Sequence, residues 1–475
     1  MKNFLIILLT LPLLTFGQDV DRYFESIRNS RVELTAFFNQ MPKGGDLHHH
    51  FSGSVYAETY INYIVQKDLY LNRRTYDIKE TVQSDTDYVR ISKLQNPYFS
   101  FYKQKLLEKW SVKDYNNVSQ PSDKLFFSTF PSFDIAHKNT LDEGLLEIKE
   151  RARIENVSYI ETMFTRITCD VDVNLPDPFN IALRQQQKER DYKGTENTLE
   201  AIYGSLDKTV LEVCASKFNQ ELQERHDRLR IDDSTFLLRY QNYVLRLIDD
   251  PTQVFKDIIV AFESAAKSSL VVGVNIVGAE DDEVSMKDYW LHMQMFKFCH
   301  NKYPDVKYAM HAGELTLGIV KPEELSWHVN AAVFEAGASR IGHGVDLAYE
   351  KESPRLLSYM KEQKIPIEIN LSSNEFILKV RNDEHPLILY KNAGVPIVIA
   401  TDDAGVLRSN MTHQYVLLAS RYSGLSYSEI KQIVLNSIRF SFIEEPAIRK
   451  SLLADLERRF KVFELSLPLG ARRMQ

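Results

Sequence analysis

The chain has 475 residues, 44% of them hydrophobic and 26% charged, with a formal net charge of −7. That is ordinary globular composition, and the acidic balance speaks against a nucleic-acid partner held through its phosphates. The length would hold two or three average domains, although a barrel of about 250 residues or more commonly counts as one.

Residues 1–17 read as an export signal. Lys2 precedes an apolar run from Phe4 to Phe16 broken only by Thr10, Pro12 and Thr15, with Thr15 and Gly17 at the −3 and −1 positions of a cleavage before Gln18. The run is shorter than the roughly 20 residues of a membrane span, and no cysteine follows it to take a lipid. A secreted or periplasmic protein with no membrane span is expected. From residue 18 to 475 we expect one domain.

Within it, strand-like runs alternate with helical stretches. The runs are 44–53, 158–164, 234–239 (extending toward 245), 270–278, 307–314, 339–346, 365–373 and 395–403. Most are apolar and β-branched on both faces, as buried parallel strands are. Helical patterns at 251–267, 323–336 and 354–363 separate them. Eight such units predict an α/β fold of the (β/α)8 TIM-barrel class. A polar stretch at about 66–117 reads as a helical insertion after the first strand, serving as a dimer surface, a substrate lid or both; a homodimer stays open. A polar loop from residue 174 leads into one long helix at 198–228, and a helical tail follows residue 403. Ser426 and Glu429 in that tail form a capping-box pattern.

Cys169, Cys214 and Cys299 form neither a disulfide framework nor a CxxC site. One bridge of undetermined pairing is compatible with an oxidising compartment, but most are expected simply to be buried. Asn117 and Asn156 open Asn-x-Ser triplets, as does Asn370 inside an expected core strand.

The polar residues of interest fall where strands end, on the barrel face that holds active sites. His48 and His50 are one residue apart, so on a strand both point the same way, into the barrel, and His49 points away. His311 (in HAGE), His343 (in GHG) and Asp402 (in TDD) end three further runs. Imidazoles and a carboxylate converging on one mouth suit a zinc site that keeps a position for water.

Together MPKGGDLHHHFSG (41–53), MHAGE (310–314), RIGHGVD (340–346), ATDDAGV (400–406) and the tail segment GLSYSEIKQIVLNSIRFSF (424–442) resemble the adenosine deaminase family of metal-dependent amidohydrolases. The export signal, the MPKGG opening and the insertion are most similar to its extracellular branch, the adenosine deaminase-related growth factors. The resemblance implies one Zn2+ held by His48, His50, His311 and Asp402. It implies hydrolytic deamination of adenosine, and of 2′-deoxyadenosine, to inosine with release of ammonia. Glu314 would protonate N1 of the purine, and His343 would take a proton from the activated water or stabilise it. Asp403 would bind N7, and the backbone of Gly278 would reach N3. The chain departs from the family at Ser52, where an Asp usually contacts the sugar, and at Ala404, where a Pro is usual. Glu280 and Asp281 beyond Gly278 shape the pocket rim or are merely solvated.

Rival readings are a deaminase of adenine or of a nucleotide, a two-metal amidohydrolase, and a secreted binding or signalling protein on the same fold. The run at 270–278 lacks the lysine that bridges two metals, and no cytidine-deaminase pattern of H-x-E with P-C-x-x-C is present.

Overall fold

The computed structural model describes residues 19–84, 86–169 and 177–468. The expected export segment lies outside them, as does the start of the polar loop expected from residue 174. Among the described residues no helix is long and apolar enough to cross a membrane.

Eight parallel strands form the centre: β1 (Gly44–His50), β2 (Val157–Thr165), β3 (Leu237–Leu245), β4 (Val271–Val277), β5 (Ala309–Ala312), β6 (Arg340–His343), β7 (Ile367–Ile369) and β8 (Ile397–Ile399). They pair in chain order within two four-stranded halves. The halves join twice. Val274 N–H donates to Lys307 O (3.1 Å) between β4 and β5. Between β1 and β8, His50 N–H donates to Asp402 O (3.0 Å) and Asp402 N–H to His48 O (2.9 Å). The sheet is therefore a closed (β/α)8 barrel, which leaves no free edge.

The helices around it follow their local chemistry. Pro251–Ala266 starts with a proline in its first turn and an Asp250 side chain that accepts from Gln253 N–H. Buried on nearly every face, it lies between the barrel and the outer helix Lys208–Arg228. The tail helix Tyr427–Arg439 opens with the expected capping box, Ser426 and Glu429 bonding reciprocally. It packs on β1 and β8, where Ser437 Oγ accepts from Gly45 N–H at 2.7 Å.

Four expectations need correction. The insertion is not purely helical: a three-stranded antiparallel sheet (Tyr70–Asn72, Ile78–Lys79, Tyr88–Arg90) precedes its helix Tyr98–Lys109. The long helix at 198–228 is two helices, Tyr192–Ser205 and Lys208–Arg228, because the Asp207 side chain caps the second by accepting from Thr209 and Val210 N–H. The stretch at 323–336 is a 3-10 turn, a short α-helical turn (His328–Asn330) and a π-helical segment, Ala331–Ala336. Two of the three cysteines are not simply buried, since Cys169 and Cys214 form a disulfide; Cys299 is free and buried.

Candidate active site

The strand order carries His48, His50, His311 and Asp402 from three separate strand ends to one point at the C-terminal mouth. His50 Nε2 lies 3.1 Å from His311 Nε2 and 3.2 Å from Asp402 Oδ1, and His48 Nε2 lies 3.5 Å from the same oxygen. One ligand atom from each of the four lies within 4.8 Å of all the others. Glu314, His343 and Asp402 form a second, overlapping group of the same closeness.

Two of the three imidazoles are aimed from behind. His48 Nδ1 meets Glu368 Oε2 at 2.7 Å, and His311 Nδ1 meets Asn275 Oδ1 at 3.0 Å. Both rings therefore turn Nε2 toward the centre, the arrangement that orients histidine ligands. His48 Nε2 is buried without a hydrogen-bond partner. Burial lowers the His48 pKa, but the carboxylates of Asp402 and Glu368 outweigh it and raise it to about 10. The centre thus attracts positive charge, and a cation would replace that proton.

Below the ligands runs a closed chain of buried polar groups. Glu368 Oε1 accepts from Arg340 Nε (2.5 Å), and Arg340 donates through its second arm to Glu161 Oε2 (2.6 Å). Gln241 donates to Glu161 (3.1 Å) and accepts from Asn275 (3.1 Å), which returns to His311. The Arg340 guanidinium also lies 3.5 Å from the centre of the Phe442 ring, so the tail closes the barrel floor. None of these residues figures among the sequence-based site candidates. Their signal was a lone charged residue in an otherwise uncharged run, such as Glu161 in SYIETMF or Glu368 in PIEIN.

The cavity above the cluster has a volume of about 810 Å³ and is lined by His50, His311, Glu314, His343, Asp402, Asp403, Gly278 and Ser52 among others. Burial, with the charges of Asp402 and Glu280, pushes the Glu314 carboxyl well above its ordinary range. Burial and the adjacent Asp402 do the same to Asp403. Asp402 itself stays ionised: burial opposes this, but bonds to His48 and His50 hold it well below the usual range. Burial lowers His343 to about 3, so its imidazole is neutral; Asn374 Nδ2 touches its Nδ1 at 2.9 Å. His343 and Asp402 both have positive φ (68° and 61°), a costly conformation for such residues that functional sites retain.

Asp403 Oδ1 is buried without a partner. A Cβ on Gly53 would come within 1.7 Å of it, so glycine there is what lets the carboxyl sit in the cavity. Gly278 has φ +107°, a conformation for glycine, and a Cβ would press on Leu247 at 2.9 Å. Ser52 sits on the short helix Phe51–Ser54, its carbonyl accepting from Tyr60 Oη at 2.7 Å. His49 stays outside the cluster, bonded to Thr162 Oγ1 at 2.9 Å. Asn370 is fully buried, so its triplet cannot be glycosylated in the folded chain.

Glu280 corrects the sequence reading. It is 1% exposed rather than solvated. Its carboxylate accepts from Gly313 N–H (3.0 Å), Glu314 N–H (2.9 Å) and His328 Nδ1 (2.6 Å). It therefore holds the backbone that carries Glu314. Burial pushes its own carboxyl up, but His328 and Arg246 outweigh that and keep it charged. Asp281 does line the cavity mouth.

The chain thus forms a closed parallel barrel with a His/Asp cluster that could hold a metal ion at its C-terminal mouth. Residues 241–458 match the sequence profile of the family described as adenosine deaminase. It is 34% identical over 146 residues to the aminodeoxyfutalosine deaminase of Streptomyces coelicolor, covering 30% of this chain and 34% of that protein. It is 30% identical over 200 residues to the adenosine deaminase of Clostridium kluyveri, covering 42% and 52%. The matches thus span between a third and about half of these relatives' length. The fold resembles that of arabidopsis ADAL complexed with IMP, with a TM-score of 0.55 at 18% identity over 90% of this chain and 99% of that one.

Proposed function

We propose that the protein is a zinc-dependent deaminase of 6-aminopurine nucleosides, converting adenosine and 2′-deoxyadenosine to the 6-oxo products and ammonia. The observation that carries this is the meeting of four metal-ligand atoms with two buried carboxyls, Glu314 and Asp403, in one cavity, where burial favours their protonated forms. Three imidazoles and one carboxylate are a donor set for zinc, and the unpartnered buried Nε2 of His48 fits a cation at their centre. A zinc ion bound there supplies the Lewis acidity that makes water nucleophilic at neutral pH.

The chain's own groups do the rest. With purine C6 at the cluster, the neutral Glu314 carboxyl donates its proton to N1, which makes C6 electrophilic. His343, neutral because it is buried, takes the proton lost by the attacking water. Asp403, also protonated, donates to N7, and the backbone N–H of Gly278 reaches N3. Ser52 offers a hydroxyl to the sugar, a weaker partner than a carboxylate. The proton held by His343 passes to the amino group, which leaves as ammonia, while the C6 hydroxyl gives its proton back to Glu314 as the 6-oxo group forms. A two-proton arrangement of this kind recognises an aminopurine by acceptors at N1 and N7.

Export of the chain remains part of the reading. It is supported by the segment 1–17 and by the Cys169–Cys214 disulfide, a bond of oxidising compartments. Membership of the extracellular growth-factor branch rests on the segment 1–17, the MPKGG opening and the insertion. A binding or signalling role without catalysis is disfavoured by a complete set of ligand and acid groups. The test is a panel of adenosine, deoxyadenosine, adenine and AMP with zinc-loaded protein. Turnover of adenosine to inosine supports the reading, and turnover of none of the four overturns it.

A further inference from the structure

We propose that Asn374 and His385 are positioning residues that place the proton of His343 on Nε2 and leave its lone pair on Nδ1. The inference rests on the purine-deaminase reading for its kinetic consequence, while the tautomer follows from the polarity of hydrogen bonds. In a neutral imidazole, the partner of one nitrogen decides where the proton sits.

The bonds start from a group whose polarity is fixed. The helix Leu387–Ala393 leaves its first N–H groups without helical acceptors, and Leu387 N–H donates to His385 Nδ1 at 3.1 Å. An accepting nitrogen carries no proton, so the proton of His385 is on Nε2. Burial, with Arg421 nearby, lowers the His385 pKa to about 3, and this ring is neutral. Its Nε2–H donates to Asn374 Oδ1 at 3.0 Å. That bond fixes the amide of Asn374, which stands on the helix Leu371–Leu378 after β7. Asn374 Nδ2 is then turned to His343 Nδ1 and donates to it at 2.9 Å. Nδ1 of His343 is thus an acceptor, and Nε2 bears the proton. Reversing every bond would set a proton on His385 Nδ1 against Leu387 N–H, two donors face to face.

Neighbouring groups do not compete for this assignment. Asn370 Nδ2 lies 3.5 Å from both ring nitrogens of His343, so it is directed at neither lone pair. Glu314 Oε1 is 3.6 Å from Nδ1, beyond hydrogen-bond distance. All three members of the relay are buried, His343, Asn374 and His385 alike. In the proposed reaction the proton leaving the water therefore arrives at His343 Nδ1, and the Asn374 N–H gives way to it. The imidazolium so formed faces a donor instead of an acceptor, which favours passing the proton on to the departing amino group.

The experiment is a proton–nitrogen correlation spectrum of zinc-loaded protein made with isotope-labelled histidine, His343 being assigned by the signals that His343→Gln removes. We expect Nδ1 of His343 to resonate as an unprotonated nitrogen and Nε2 as a protonated one. Asn374→Asp presents an acceptor to both histidines, so it should move the His343 proton to Nδ1. The same variant should lower kcat about a hundredfold, with KM for adenosine and zinc content unchanged. His385→Leu frees the Asn374 amide to turn over and should lower kcat about tenfold. His385→Gln keeps a donor toward Asn374 and should restore it. A proton on His343 Nδ1 in the unsubstituted protein overturns the inference, as does full kcat in both Asn374→Asp and His385→Leu. The spectrum needs no substrate, so a protein that deaminates no purine removes the purine reading while the tautomer stands or falls on the spectrum.

Discussion

In the proposed reaction Glu314 and Asp403 act as protonated carboxyls, and burial beside Asp402 raises the pKa of both. Replacing Glu314 with Gln keeps the shape but removes the transferable proton. We expect metal content to be unchanged and kcat to fall by about a hundredfold or more, read by steady-state kinetics and elemental analysis. Because the acid form is the active one, activity should be lost as pH rises and Glu314 ionises. Gly53→Ala should displace Asp403 and raise KM for the purine, since the new methyl would occupy the position of Asp403 Oδ1. At this scale much was legible. His48, His50, His311, Glu314, His343, Asp402 and Asp403 sit at strand ends within short motifs, where chain position alone announces a shared mouth. Glu280 was not legible, because its partners Gly313, Glu314 and His328 lie more than thirty residues away and only the fold joins them.

Elements bear the second layer. Arg340 on β6 joins Glu368 on β7 to Glu161 on β2, across a barrel interior that excludes water. Arg340→Met would leave two carboxylates buried without their partner. We expect a loss of about 3–5 kcal/mol in denaturant unfolding and a metal affinity weaker by about 10–100-fold, since Glu368 aims His48. Strand existence and order were readable from the apolar runs, but strand ends were not. The run at 365–373 is a strand only to Ile369, after which Leu371–Leu378 is helical and brings Asn374 to His343. Periodicity cannot separate a short buried strand from the helix that continues it. The break at Asp207 was missed for another reason: one side-chain cap outweighed an uninterrupted helical pattern.

For the whole molecule, closure of the barrel is what turns scattered strand ends into a site, and it rests on the pairings at Val274–Tyr308 and His49–Asp402. Stability should also depend on pH through groups remote from the metal. Burial raises Glu350 from its ordinary 4.5 to about 7, against hydrogen bonds from Asn330 and Val329. The folded state therefore binds its proton more tightly than the unfolded chain. The contribution is complete below about 4.5 and is lost as pH rises through about 7. Glu350→Gln should flatten the fall in melting temperature across that window. An unchanged slope would assign it to other groups. The central claim, a metal cluster poised against a purine ring, is tested most directly by ammonia release from adenosine before chelation, after chelation and after zinc is restored. The account predicts inosine and ammonia in stoichiometric amounts, abolished by the chelator and regained with zinc; zinc-replete protein that releases none would contradict it.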